Sequence, residues 1–168
     1  MTTPIIVRRM LTEDWQNARC VRLAALADSP DAYGRSLDEE VALPDTEWQR
    51  RAIANAAGVT SCGFLAFKDD VPCGLVVGIL PHSHDAELHG LWVAQNIRRH
   101  GTGRMLVQAV CDWARERGAK QITLKVIASN HSAIALYRAT GFALRESGAH
   151  TTTGARQEPA LYMVRRFS

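Results

Sequence analysis

The sequence predicts one mixed α/β (α+β) domain, a central sheet with helices on both faces. Three observations carry that reading. Periodicity alternates along the chain in the order β-α-α-β-β-β-α-β-α-β-β, which requires a mixed sheet flanked by helices. The 168 residues contain no repeat, low-complexity tract or Pro/Gly/Ser linker, so residues 1–168 read as one domain. Hydrophobic residues make up 46% and charged residues 22%, enough for a core without disulfides or metals and unlike a disordered or fibrous chain.

Residues 5–9 read as the first strand. Thr12 is the expected N-cap of the first helix, with Glu13 and Asp14 in a first turn whose dipole favours acidic side chains. Trp15, Ala18, Val21, Arg22 and Ala25 then recur three or four apart, as one face of that helix. A loop over 29–34 leads to a second helical region, 36–57, interrupted near Pro44. At Val59 the character changes. Residues 60–68 and 71–80 are strand-like runs joined over Asp69-Asp70, a hairpin signal, and 86–93 is a third run. Gly101-Thr102-Gly103 then opens an amphipathic helix. Leu106, Ala109, Val110 and Trp113 form its apolar stripe, and Gly118 stands where a C′ glycine belongs. Residues 121–127 alternate Ile122, Leu124 and Val126 against Gln121, Thr123 and Lys125, the period of a strand. Ser129-Asn130 is a cap signal for a short helix ending at Gly141, and strands over 142–147 and 160–167 close the chain.

Composition excludes several classes. A net charge of +3 leans only slightly toward anionic ligands, and no Lys/Arg stripe with interleaved aromatics points to nucleic acid. Cys20, Cys62, Cys73 and Cys111 contain no C-x-x-C pair, so reduced and mostly buried thiols of a cytoplasmic protein are expected. The first residues hold too short an apolar run for a signal peptide, and the apolar stretch 73–80 is far short of a membrane span. His82, His84 and His89 lack the matching carboxylate spacing of a metal site, so no metal is expected.

The chemistry concentrates in residues 93–106. A strand runs into a loop with Gly101 and Gly103 that opens a helix, whose first backbone N–H groups have no internal partner and carry the positive end of the dipole. Glycine lets the backbone approach a phosphate closely. Arg98, Arg99, His100 and Arg104 add positive charge. A phosphate or pyrophosphate is the expected ligand, with a simple tight turn before a helix as the bland alternative. No Lys-Ser or Lys-Thr completes a P-loop, and Leu106 stands where a dinucleotide fingerprint needs its third glycine.

Two motifs then coincide. Arg98-x-x-Gly101-x-Gly103 after a strand resembles the [QR]-x-x-G-x-[GA] signature of GNAT acetyltransferases. Asn130, Ala133, Leu136, Tyr137, Gly141 and Phe142 resemble the family's second signature, A-x-x-L-Y-x-x-x-G-F behind an asparagine. The element order is similar to the family fold over nearly the whole chain. That resemblance implies a mostly antiparallel sheet splayed between its fourth and fifth strands, and acetyl-CoA as cosubstrate. It implies that the backbone of Trp92 and Val93 pairs with the pantetheine arm. The amides of residues 99–104, Thr102 among them, would hold the pyrophosphate. Asn130 would lie beside the pantetheine, with Ala133 in the same motif, and Tyr137 near the thioester sulfur. Two positions depart from the pattern: Gln95 where proline is common, and Arg99 where glycine is common.

Acetyl transfer requires an unprotonated amine, a donor for the developing oxyanion and an acid for the departing thiolate. By resemblance the Val93 N–H is the donor and Tyr137 the acid, a tyrosine at ordinary helical core spacing being the alternative. Glu87, six residues before Val93, is the first candidate base, a solvated strand residue being its alternative. His89 is the second, and on an unbulged strand 87, 89, 91 and 93 would share one face. Trp15, Tyr33 and Trp48 are candidates to line the acceptor pocket, with core packing as the alternative for Trp15. The expected function is N-acetylation of a small-molecule or peptide amine, and a noncatalytic acyl-CoA-binding sensor is the rival. Acceptor specificity would lie in 13–57 and 150–159, where no motif identifies the amine. Dimers are common in the resembled family, which leaves a homodimer open.

Overall fold

The computed structural model describes residues 3–145, 151–153 and 158–168. The first strand β1 (Ile6–Arg9) leads into a 3₁₀ turn at Thr12–Asp14 and helix α1 (Trp15–Asp28). Thr12 is therefore inside the turn rather than capping the helix. The reason is Asp14, whose carboxylate accepts from the Leu11 amide at 2.8 Å and from Arg8 at 2.7 Å, which winds the chain one turn before α1 starts. The helical region interrupted at Pro44 resolves into α2 (Leu37–Val41), capped by Ser36 with Glu39, and α3 (Asp45–Ala57).

Strands β2 (Ser61–Lys68) and β3 (Val71–His82) form the expected hairpin. Its turn takes Asp69 and Asp70 to φ 49° and 61°, the left-handed pair that a two-residue hairpin needs and that aspartate tolerates. Next come β4 (Asp85–Val93), α4 (Thr102–Glu116), β5 (Gln121–Ile127) and α5 (His131–Ala139). Gly118 takes φ 85° just beyond α4. The strand read over 142–147 is the two-residue β6 (Ala143–Leu144), with residues 146–147 outside the described set. A strand with no sequence signal, β7 (Thr151–Thr153), pairs with the last strand β8 (Glu158–Arg166).

The sheet order is β1-β2-β3-β4-β5-β8-β6 with β7 on β8. The described pairings are antiparallel except β4 with β5. Alternation along β2 and β3 divides the core between two faces. Leu65 and Leu75 pack with Val21 of α1 and Ala52 of α3, whereas Ala66 and Val76 pack with Leu106, Val107 and Val110 of α4. Helices therefore cover both faces. Gly78 lets α4 lie close, since a Cβ there would sit 2.7 Å from the Trp113 ring. The Trp113 indole N–H donates to the Gly58 carbonyl at 2.9 Å. All four cysteines are free thiols, Cys20 exposed and the others buried. No helix among the described residues is long and apolar enough to cross a membrane.

Candidate active site

Parallel β4 and β5 pair only from Asp85 opposite Gln121 to Leu88 opposite Leu124. Beyond that point the strands splay, as expected between the fourth and fifth strands, and a cleft of about 1450 Å³ opens. One arm reaches the 98–104 loop and α5. The other runs beneath α1, α2 and α3.

A bulge aims the end of β4 into this gap. Val77 lies opposite His89 but Leu75 opposite Trp92, so two steps on β3 face three on β4, and Gly90 takes φ 65°. The extra residue breaks the expectation that 87, 89, 91 and 93 share a face. Leu91 and Val93 pack with the α4-side core, whereas Trp92 joins the α1/α3 side. The Ala94 N–H donates to the Cys73 carbonyl at 2.8 Å. By antiparallel alternation the Val93 N–H then turns away from β3, toward the gap.

Of the two glycines expected to adopt positive φ in the candidate phosphate loop, Gly101 does and Gly103, inside α4, does not. Gly101 caps α4 at φ 82° with open space where a Cβ would stand. Arg99 sits at φ 65°, the left-handed region a glycine would occupy more easily, so the departure at 99 preserves the conformation at a cost of about 1–2 kcal/mol. The amides of residues 99–101 make no backbone hydrogen bond among the described residues, and the Thr102 hydroxyl is buried without a partner. Gly103 serves packing as well: a Cβ there would lie 2.9 Å from the Leu136 Cδ2. Arg104 and Arg99 line the cleft. His100 Nδ1 lies 3.3 Å from the Ile97 carbonyl.

Arg98 lines the cleft and is also bonded within the fold. Its Nε donates to the Val93 carbonyl at 2.8 Å and its Nη2 to Asp28 at 2.6 Å, so it ties β4 to α1. Asn130 caps α5 through its Oδ1, which accepts from the Ala133 amide at 3.2 Å, and both residues line the cleft. Tyr137 on α5 is buried against Phe142 at 5.8 Å between ring centroids and also lines the cleft. Burial pushes its phenol pKa up, and the nearby Tyr33 adds to the effect.

Glu87 and His89 are joined, with His89 Nε2 and Glu87 Oε2 2.7 Å apart. Glu87 stands opposite Thr123, where β4 and β5 still pair, whereas His89 is the first residue past the pairing and lines the cleft. Tyr33 and Trp48 line the other arm; Trp15 packs into the core instead. Of the stretch 150–159, the chain is described only at 151–153 and 158–159, so its part in acceptor binding lies mostly outside the described residues. Among the described residues no group of three His, Cys, Asp or Glu is arranged to hold a metal ion.

The family model for the acetyltransferase (GNAT) family matches residues 15–142. The chain belongs to the GNAT family. It is 42% identical over 73 residues to streptothricin acetyltransferase of Streptomyces lavendulae, covering 42% of this chain and 39% of that protein. It is 37% identical over 83 residues to the ribosomal protein bS18-alanine N-acetyltransferase of Escherichia coli strain K12, covering 48% of this chain and 55% of that one. The matches thus span well under two thirds of these relatives' length. In fold it resembles yncA of Salmonella typhimurium, solved with its cofactor acetyl-CoA, at TM-score 0.80 and 15% identity over 99% of this chain and 95% of that one.

As a member of the GNAT family the chain can be tested for fit to a CoA cosubstrate. The unbonded amides and the start of α4, with Arg99, Gly101, Gly103 and Arg104 along the cleft, are the kind of donors a pyrophosphate requires. Sequence reasoning missed Asp28, which accepts from Trp92, Arg98, Gln95 and Ser29. One signal was present: an acidic residue ending a helix opposes the dipole and needs compensating donors.

Proposed function

We propose that this GNAT enzyme acetylates a primary amine by direct attack in the splay between β4 and β5, with His89 as general base and Tyr137 as the donor to the leaving sulfur. The amides of residues 99–104 hold the pyrophosphate, and Trp92, Val93 and Asn130 flank the pantetheine. The amine nitrogen bonds to the thioester carbon, the C–S bond breaks, and the amine's proton passes to His89. The Val93 N–H stabilises the developing oxyanion.

The observation that carries this reading is the Glu87–His89 pair at the mouth of the gap. An ionised carboxylate can only accept, so Nε2 holds the proton and Nδ1 keeps its lone pair for the amine, directly or through one water. Glu87 thereby becomes a positioning residue rather than the base. Free thiols and a need for acetyl-CoA are compatible with a cytoplasmic enzyme.

His89→Gln should lower kcat/KM by about 10²- to 10⁴-fold while leaving acetyl-CoA affinity intact. Glu87→Gln should cost less, because the base itself stays in place. Full activity of the His89 variant across pH would sink the assignment.

A further inference from the structure

We propose that the acceptor is an amine that also carries a carboxylate, and that Arg22 binds this anion; the proposal rests on the transferase reading above. Arg22 belongs to α1, on the stripe with Trp15, Ala18, Val21 and Ala25, yet it turns into the acceptor arm of the cleft. Its Nη1 lies against the β4 bulge, 3.8 Å from where a Gly90 Cβ would stand. Its guanidinium carbon sits 4.9 Å from the centroid of the Tyr33 ring. Tyr33 is itself fixed, its hydroxyl donating to the Leu91 carbonyl at 3.0 Å. The cation is thus held beside Gly90, three residues before Val93.

What distinguishes Arg22 is the absence of an anion. Its neighbours are paired: Arg51 with Glu40 at 2.8 Å and Glu47 at 3.0 Å, Arg50 with Glu47 at 2.8 Å, and Arg98 with Asp28 at 2.6 Å. Arg35 approaches Glu40 at 3.9 Å. Among the described residues Arg22 has neither an ion pair nor a hydrogen bond. Burial lowers its pKa, with Glu40 acting in the opposite sense from beyond contact distance. A half-buried guanidinium with no ion-pair partner is partly desolvated, a cost that an anionic ligand recovers. Its planar fork matches a carboxylate bidentately, and stacking on Tyr33 presets its plane. Asp31 at the rim is exposed and too well solvated to replace that partner. A polyamine would bring a second positive charge toward the same cation.

The test uses the full chain with acetyl-CoA and matched acceptors: α-amino acids and β-alanine against their own amides, followed by thiol release. The carboxylates should show kcat/KM at least tenfold above the amides, although the less basic amide amines are more fully deprotonated at neutral pH. Arg22→Gln should bring the ratio toward one, and Arg22→Lys should retain part of it. Amides matching or exceeding the carboxylates in the unsubstituted enzyme would overturn the proposal even if no variant folded. So would a preference that survives Arg22→Gln. Transfer to no amine of either series would also overturn the proposal, whereas the transferase reading falls only if peptide and other primary amines release no thiol either.

Discussion

Arg98 donates from Nη2 to Asp28 at 2.6 Å, so the basic residue that opens the phosphate motif binds the last residue of α1. Asp28 also gathers Trp92 and Gln95, both at the exit of β4. These donors hold its carboxyl far below the usual carboxylate range, Trp92 and Arg98 foremost. Asp28→Asn keeps the shape and removes the charge. Hydrogen bonds to a charged group contribute about 1.5–3 kcal/mol, so the unfolding free energy should fall by a comparable amount, read as a lower urea midpoint with an unchanged slope. An unchanged midpoint would mean that α1 is held to β4 by packing alone.

Asp14 gives a pH dependence with a definite sign. Its hydrogen bonds from Arg8, then the Leu11 amide and Asn17, hold the carboxyl down to about 2. The unfolded value is about 3.9, so the folded state binds protons more weakly. Its stabilisation is therefore complete above about pH 4 and lost as pH falls toward 2, on the order of 2 kcal/mol. Asp14→Asn should be less stable than the unsubstituted chain at pH 7, and the gap should close by pH 2. Urea midpoints at both pH values decide it; a gap independent of pH would refute the assignment.

The elements legible in the sequence were those whose signal is local. The α4 stripe, the Asp69-Asp70 turn and Gly101 each declare their conformation within a few residues, and the structure has all three. The bulge at Gly90 was marked by a lone glycine inside a strand run, but its consequence is long-range. It moves Leu91 and Val93 off the face of His89, which follows only from the register against β3. Asp28 was marked only by its place at the end of a helix, and its partners were not legible because three of its donors, at 92, 95 and 98, come from across the fold. Arg22 was masked by its own periodicity, which placed it on an apolar face. Strand β7 depends on pairing with β8 and carries no pattern of its own.

At Gly103 two effects must be separated. A Cβ would meet the tip of Leu136 at 2.9 Å, while a carboxylate would add like charge beside the amides proposed to hold the phosphate. Gly103→Ala should displace a flexible side-chain end and cost severalfold or less in acetyl-CoA affinity. Gly103→Asp should weaken binding by at least a further tenfold, about 1.4 kcal/mol, and that increment should shrink with salt. Calorimetry with both variants reads the difference. Equal affinities would show that the pyrophosphate binds elsewhere.

Tyr137 is the most direct test of the chemistry. Its ring is buried against Phe142, and a phenylalanine fills almost the same space, so Tyr137→Phe should fold normally and still bind acetyl-CoA. Burial raises the phenol's pKa, which keeps the O–H intact at neutral pH. It also makes full proton transfer to a thiolate of ordinary pKa, about 8.5, unfavourable unless the same buried site raises the thiolate as well. On the proposed mechanism Tyr137 would therefore act chiefly by hydrogen bonding to the departing sulfur. The expected fall in kcat is then about tenfold to a thousandfold, toward the lower end. Acceptors that attack fast should lose more, because C–S cleavage then limits the rate. The unsubstituted enzyme should show no loss of kcat from Tyr137 ionisation up to about pH 10, the ordinary phenol pKa. A Tyr137→Phe variant with undiminished kcat on a fast amine would reduce the residue to packing and leave the leaving-group donor to be sought elsewhere in the cleft.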